Sequence, residues 1–294
     1  MTFDYYASLG NRKQIPEEET LSFELVDICS TLYFKGNKKE AREYYIKQTL
    51  KTKFKVPKEL DFSPILSIMP DSAWIGFEVE FILKTPWYSK DDRSFHVLEN
   101  SLRKDHVFGI PFHPASSWKG LLRWACRMES GLFEHLEKNG MKFEGWKDDK
   151  WILYLFGNEK NNTDELYQGV INFYPTFFDR IKFEVINPHS RKTRAGTQPI
   201  YYEVVPPKTK AKLQLVYVPH AGCEMHTETN CLETINKLLT ATEKLLTIYG
   251  FSAKRTAGWG TAEISKWRAF KAGMTVEEAS LEKFKEALKI QLKL

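Results

Sequence analysis

The chain has 294 residues, of which 42% are hydrophobic and 14% aromatic, enough to fill a sizeable core and leave rings over for bases or partner subunits. With 43 Lys and Arg against 38 Asp and Glu, the net charge of +5 permits nucleic-acid binding without indicating it. No run of about 18 apolar residues occurs and residues 1–6 lack a basic-then-apolar signal, so the expectation is a soluble, cytoplasmic chain with no membrane partner.

In chain order, residues 17–50 read as helical, with Leu21, Leu25, Ile28 and Leu32 at helical spacing and Gly36-Asn37 as a break. Residues 57–70 form a turn-rich connector. Residues 74–83 alternate Phe77, Val79, Phe81 and Leu83 with Glu78, Glu80 and Ile82, the period of a strand. A helix bearing Trp118, Leu121, Leu122 and Ala125 follows the Pro-rich turn at 109–117, and a shorter one spans 150–156 up to Gly157. Strands are expected at 169–174, 182–186 and 211–218, then a helix over 228–249 ended by Gly250 in the manner of a left-handed cap. A last strand spans 260–267, and residues 275–294 read as an amphipathic helix opened by acidic residues. The order strand, helix, strands, helix, strand predicts an α+β fold of ferredoxin-like (RRM-like) type, with helices on one face of an antiparallel sheet and the other face open as a platform for single-stranded RNA. The expected division is a helical N-terminal extension (1–70), the ferredoxin-like domain (71–270) and a C-terminal helix (271–294).

Four cysteines, Cys29, Cys126, Cys223 and Cys231, are too scattered for a disulfide framework and read as reduced thiols. Cys223, His226 and Cys231 lie close together, but zinc needs a fourth ligand and none stands at a usual spacing. The expectation is a polar loop there, with no metal and no cofactor.

Two segments carry candidate chemistry. In the first, residues 109–123, Ser116 and Ser117 are good N-cap types at a helix start whose free amides attract anions. Lys119, Arg123 and Arg127 follow at i, i+4 and i+8 on one stripe, a pattern that suits a run of phosphates and equally suits a solvated basic face. In the second, residues 249–260, glycines that include Gly258 and Gly260 allow close backbone approach, Lys254 and Arg255 supply charge, and Phe251 and Trp259 offer stacking faces. It is not a nucleotide-binding P-loop, because no Gly-Lys-Ser/Thr ends it. Taken alone, this second segment is also a plausible tight turn between helix and strand.

Together the two segments are more specific. Gly-Ile-Pro-x-x-Pro-x-Ser-Ser-x-Lys-Gly-x-x-Arg from Gly109 to Arg123, and Gly-x-x-Ala-Lys-x-x-x-Gly-x-Gly from Gly250 to Gly260, resemble the signature helix and glycine-rich loop of the RAMP superfamily, in the same order and separation. The likeness covers roughly residues 74–267; Ala115 stands where the family usually has Gly. Residues 98–102, 170–175 and Asn187-Pro188-His189 resemble, more finely, the sixth-subunit family of the Cmr, type III-B, effector. The resemblance implies a modified ferredoxin-like fold and a non-catalytic subunit that binds CRISPR guide RNA and caps the subunit filament in antiviral defence. Its partners would be other RAMP subunits, with target RNA a further candidate. The implied RNA-binding residues are Ser116, Ser117, Lys119, Arg123, Arg127, Lys254, Arg255, Gly258, Trp259 and Gly260.

Two endoribonuclease readings stay open beside it. Filament subunits of type III complexes cleave target RNA with an aspartate ahead of the signature helix, where this chain has Asp91, Asp92 and Asp105; the segment 90–93 reads as a solvated charge cluster. Guide processing needs a general base with an acid partner, for which His106, His113 and His189 and Tyr201 and Tyr202 are the candidates, though no spacing pairs them. A purely structural assembly subunit is the remaining alternative.

Overall fold

The alternating stretch that begins at Ile75 becomes the central strand of the molecule. The computed structural model describes residues 22–69, 71–93, 95–158, 168–187, 196, 199–219 and 231–291. The chain opens with α1 (Ser22–Phe34), α2 (Lys38–Lys51) and the short α3 (Ser63–Ser67). Then come β1 (Ile75–Leu83), β2 (Phe112–His113), α4 (Ala115–Glu129), α5 (Leu132–Lys138) and α6 (Lys150–Phe156). Five strands follow: β3 (Ile171–Phe173), β4 (Thr176–Phe177), β5 (Lys182–Ile186), β6 (Ile200–Val204) and β7 (Lys210–Tyr217). The last part holds α7 (Cys231–Lys244), β8 (Ala262–Lys271), β9 (Met274–Glu278) and α8 (Leu281–Gln291).

The main sheet runs β3-β7-β1-β8-β9, and every neighbouring pair is antiparallel. Ile75, Phe77, Val79, Phe81 and Leu83 of β1 are each 1% exposed, because alternate side chains of a strand share one face and this face is roofed by helices. Trp118, Leu122 and Ala125 of α4 and Ile235, Leu238 and Leu239 of α7 form that roof. α7 runs on into a π-helical turn, Leu245–Tyr249, which keeps Leu245 and Leu246 in the core. The fold is therefore α+β and ferredoxin-like, as the element order predicts.

The opposite face of the sheet is not open. α3 lies against one end of it, with Leu66 buried on Val216 and Phe270. Gly76 of β1 makes room for this contact, since a Cβ there would come within 2.8 Å of the Met69 methyl. At the sheet centre Glu78 is fully buried under a polar network. It accepts hydrogen bonds from Gln214 Nε2 (2.7 Å), Arg268 Nη1 (2.7 Å) and the Ser63 hydroxyl. Arg268 also reaches Glu277 and Glu80, and Lys266 pairs with Glu277 at 2.6 Å. Among the described residues, the centre of this face is thus occupied by paired charged and polar side chains, not by aromatic rings.

Two further expectations change. Residues 274–278 are not a helix start but strand β9, paired to β8, and the helix begins at Leu281. Gly250 has φ 74° but an extended ψ of 158°, so it ends the helix without a left-handed cap. The strand at β6 was not foreseen, and it pairs with β5 from Lys182↔Val204 to Ile186↔Ile200. α1 and α2 pack through Leu25, Val26, Cys29 and Tyr45 on Val97, Leu98 and Phe183. No helix among the described residues is long and apolar enough to cross a membrane. Cys223, His226 and His189 lie outside the described residues; Cys231 donates its thiol to the Tyr217 hydroxyl at 3.4 Å.

Candidate nucleic-acid interface

Helix α4 starts at Ala115, at least two residues earlier than its serines suggest. Pro114 occupies the cap with φ −64° and ψ 148°, and its carbonyl accepts the amides of Ser117 and Trp118 at 3.1 Å each. Ser116 and Ser117 are thus inside the first turn, and neither caps it through its side chain. Proline suits this place because it cannot donate and its φ is fixed.

The basic stripe does not present three equal cations. Arg123 and Arg127 both grip Asp148: Arg123 Nη2 donates to Oδ2 at 2.6 Å, and Arg127 Nε donates to Oδ1 at 2.6 Å. Trp146 Nε1 donates a further bond to Oδ1 at 2.9 Å. The carboxylate is 3% exposed and the two arginine side chains 15% and 17%. Burial alone pushes the Asp148 carboxyl upward, but the bonds from Arg127, Trp146 and Arg123 outweigh it and hold the group below the usual aspartate range. Asp148 is therefore the residue that neutralises two of the three stripe cations. Lys119 remains exposed; partial burial, then the charge of Arg123, hold its ammonium below the ordinary lysine value.

The glycine-rich loop is built against residues 86–88. The Gly260 amide donates to the Pro86 carbonyl (2.8 Å), the Ala253 amide to the Tyr88 carbonyl (2.8 Å), and Ser252 Oγ accepts the Tyr88 amide (3.0 Å). Gly260 has φ 82°, and a Cβ there would lie 2.5 Å from the Ser252 backbone, so this glycine is required by packing within the chain. Gly258 also has positive φ, 77°, but nothing lies within 4 Å of where its Cβ would be; it closes the one-turn 3-10 helix Arg255–Ala257 on an open surface. Phe251 does not offer a stacking face. It is 1% exposed, stacked on Trp118 at 4.8 Å and edge-on to Phe81 at 5.4 Å. Trp259 is half-buried, edge-on to Tyr202 at 5.8 Å.

Helix and loop meet. The Arg255 guanidinium lies 4.6 Å from the centre of the Trp124 ring of α4, and Trp124 meets Tyr249 edge-on at 5.0 Å. Lys254 stands 4.6 Å over the ring of Tyr202 on β6, which brings the β5–β6 hairpin to the same surface. Lys254, Arg255, Gly258 and Trp259 thus mark one exposed or half-exposed region of the loop, bordered by Trp124 of α4 and Tyr202 of β6, while Lys119 is exposed in the first turns of α4. Arg123 and Arg127 share Asp148, Ser116 and Ser117 lie in the first turn of α4, and Gly260 is packed on Ser252.

The residues weighed for cutting RNA have other tasks. Asp91 is buried rather than solvated, and burial raises its carboxyl against the lowering charges of Lys104 and Arg93. Asp105 Oδ1 accepts the amides of Val107 and Phe108 at 2.9 Å each and so closes its own turn. Asp92 is exposed between Arg103 and His106, each at 3.5 Å. His113 is 3% exposed inside a box formed by Trp87, Trp118 and Phe251. Burial, then the charge of Arg103, push its imidazole down to about 3, so it is neutral and out of reach of a bound strand. Beside this lies a buried pair that sequence reasoning missed: Lys104 Nζ donates to Glu203 Oε2 at 2.5 Å, while Tyr45 of α2 donates to Glu203 Oε1 at 2.6 Å. A lysine and a glutamate far apart in sequence carry no spacing signal, which is why neither drew attention.

No curated protein matches this sequence. Among solved structures, a chain of the type III-B Cmr-beta complex bound to cognate target RNA superposes with a TM-score of 0.51 at 17% identity, covering 90% of this chain and 82% of that one. A chain of the Csm3-Csm4 subcomplex of a type III-A CRISPR-Cas interference complex aligns at TM-score 0.42 and 17% identity, covering 74% and 95%. The first of these likenesses speaks for a shared fold. The sequence profile of the RAMP superfamily matches residues 80–263, the span that runs from β1 through the signature helix and the glycine-rich loop into β8, and the chain therefore belongs to the RAMP superfamily.

Proposed function

We propose that the chain is a non-catalytic RNA-binding subunit of a type III CRISPR ribonucleoprotein, holding guide RNA and capping the subunit filament as a sixth-subunit type of the Cmr effector. One observation carries this reading: the two RAMP segments meet, through Arg255 over Trp124 nearer the surface and through Trp118 on Phe251 in the core beneath. The cations assigned to phosphates are Lys119 of α4 and Lys254 and Arg255 of the loop, and Gly258 leaves space for a strand to approach. Ser116, Ser117 and Gly260 shape the region, and Trp259 borders it. Endoribonuclease chemistry fits less well, because Asp91 is buried and His113 is buried and neutral. Assembly with other RAMP subunits is favoured by the cross-strand pair Val185 and Tyr201 on the hairpin, which are 52% and 54% exposed.

The test is RNA binding across a salt series by the wild type and a Lys119→Ala, Lys254→Ala, Arg255→Ala variant. Each lost phosphate contact flattens the salt dependence by about 0.7 on logarithmic axes, so the triple variant should lose a slope of about 2. Binding by the variant with an unchanged slope would remove these residues from the site.

A further inference from the structure

The chain's positive charge is not spread evenly. Residues 35–58 hold nine Lys and Arg against two Glu, a local net of +7, so under the whole-chain +5 all the remaining residues together carry −2. This segment begins at the turn between α1 and α2, follows α2, and ends in the one-turn 3-10 helix Lys58–Leu60. It lies outside the span 80–263 that the superfamily profile matches. All nine basic residues are exposed.

Five of the nine follow one another along the segment. Lys39, Lys47 and Lys51 fall on one stripe of α2 at four- and eight-residue spacing, and Lys39 is paired to Glu43 within that stripe at 3.8 Å. Past Thr52, whose φ −74° and ψ 127° turn the backbone extended, Lys53 and Lys55 flank Phe54, which is buried. The Phe54 amide donates to the Asp179 carbonyl at 3.0 Å, so this stretch is fixed beside β4 and therefore next to β2, which feeds α4. Among the described residues, no carboxylate within ion-pair distance faces Lys47, Lys51, Lys53 or Lys55. The contrast with α4 is plain, since two of its three stripe cations are consumed by Asp148.

We infer that residues 47–55 form a second RNA-binding surface, a row of lysines that tracks the phosphodiester backbone of a single strand without reading its bases. Lysine is the residue type that protein–protein interfaces avoid, whereas phosphate contacts use it as a point charge regardless of sequence. The fold sets this row across the β5–β6 hairpin from the surface described above. Tyr45 of α2 bonds Glu203, while Lys254 covers the adjacent Tyr202, and neighbouring residues of a strand face opposite ways. The inference rests on the reading of the chain as an RNA-binding protein, but on different residues.

The experiment uses the full chain and a fluorescent oligouridylate, with poly-glutamate as a second probe, over a salt series. Three proteins are compared: wild type, Lys47→Ala/Lys51→Ala/Lys53→Ala/Lys55→Ala, and the same four positions changed to Arg. The expected result is tight oligouridylate binding whose logarithmic salt slope falls by roughly 2 to 3 in the alanine variant and is kept in the arginine variant. The thermal melts of all three should coincide, because every substituted side chain is exposed. An alanine variant with the wild-type slope overturns the second surface while leaving Lys119, Lys254 and Arg255 in place. Loss in this variant together with full binding by the Lys119, Lys254, Arg255 variant supports the second surface and overturns the first. Equal or tighter capture of poly-glutamate through the same lysines assigns the row to an acidic protein partner and overturns the RNA assignment, as does a wild type that binds no RNA.

Discussion

Asp148 sets how many cations the signature helix can offer. Replacing it by Asn removes the carboxylate that two arginines at 15% and 17% exposure share, and the expected loss is about 3 kcal/mol in urea denaturation at neutral pH. The pH dependence follows from the same contacts. The folded carboxyl titrates below its ordinary value of 3.8, so the stability it contributes is complete above that value and disappears as pH falls through the lowered one. Wild type should therefore lose stability more steeply than Asp148→Asn in acid, and urea midpoints at pH 6 and pH 3 check it. Sequence spacing located Lys119, Arg123 and Arg127 on one stripe correctly. It was silent on which would be free, because Asp148 lies 21 residues beyond Arg127 and reaches it only through the tertiary fold. Phe251 is the converse case: an aromatic residue in a glycine-rich loop looks available, and only the packing of Trp118 and Phe81 shows that it is core.

At the scale of elements, the strongly periodic parts were legible and the short ones were not. β1, α4, β5 and β7 follow from alternation or helical spacing over five residues or more. α3 spans five residues within a Pro-rich connector, too few for a period, yet it covers the back of the sheet. Its anchor is Leu66, fully buried on Val216 and Phe270. Leu66→Ala should cost about 2 to 5 kcal/mol, read as a lowered denaturant midpoint. β9 was hidden for a different reason. Its Glu277 and Glu278 resemble the acidic first turn of a helix, but Glu277 is spent on Arg268 and Lys266 across the sheet. The hydrogen-bonding register won over the local charge pattern.

Across the whole molecule, the N-terminal helices and the RAMP fold are joined by a buried polar contact as well as by apolar packing. Tyr45 is 1% exposed and bonds a fully buried Glu203, which Lys104 also holds. Tyr45→Phe keeps the ring against His96, 4.8 Å away, and deletes only the hydroxyl. A hydrogen bond to a charged acceptor contributes about 1.5 to 3 kcal/mol, and the variant should lose that much, measured by equilibrium unfolding. Faster amide exchange in α2 than in β1 would mark the loss as local to this contact. The fold could be read from the sequence because it repeats simple periods. The charge economy of the surface could not, because it depends on which acids the fold brings to which bases.

The β5–β6 hairpin carries one implication for how the chain folds. Adjacent residues Tyr202 and Glu203 face different environments, one beneath the Lys254 ammonium and one in the closed pocket of Lys104. A pairing shifted by a single position would send the carboxylate outward and take from Lys104, only 3% exposed, its ion-pair partner. That misregistered state is penalised by about 3 to 5 kcal/mol. The buried pair therefore favours the observed register of β5 and β6 over a slipped one.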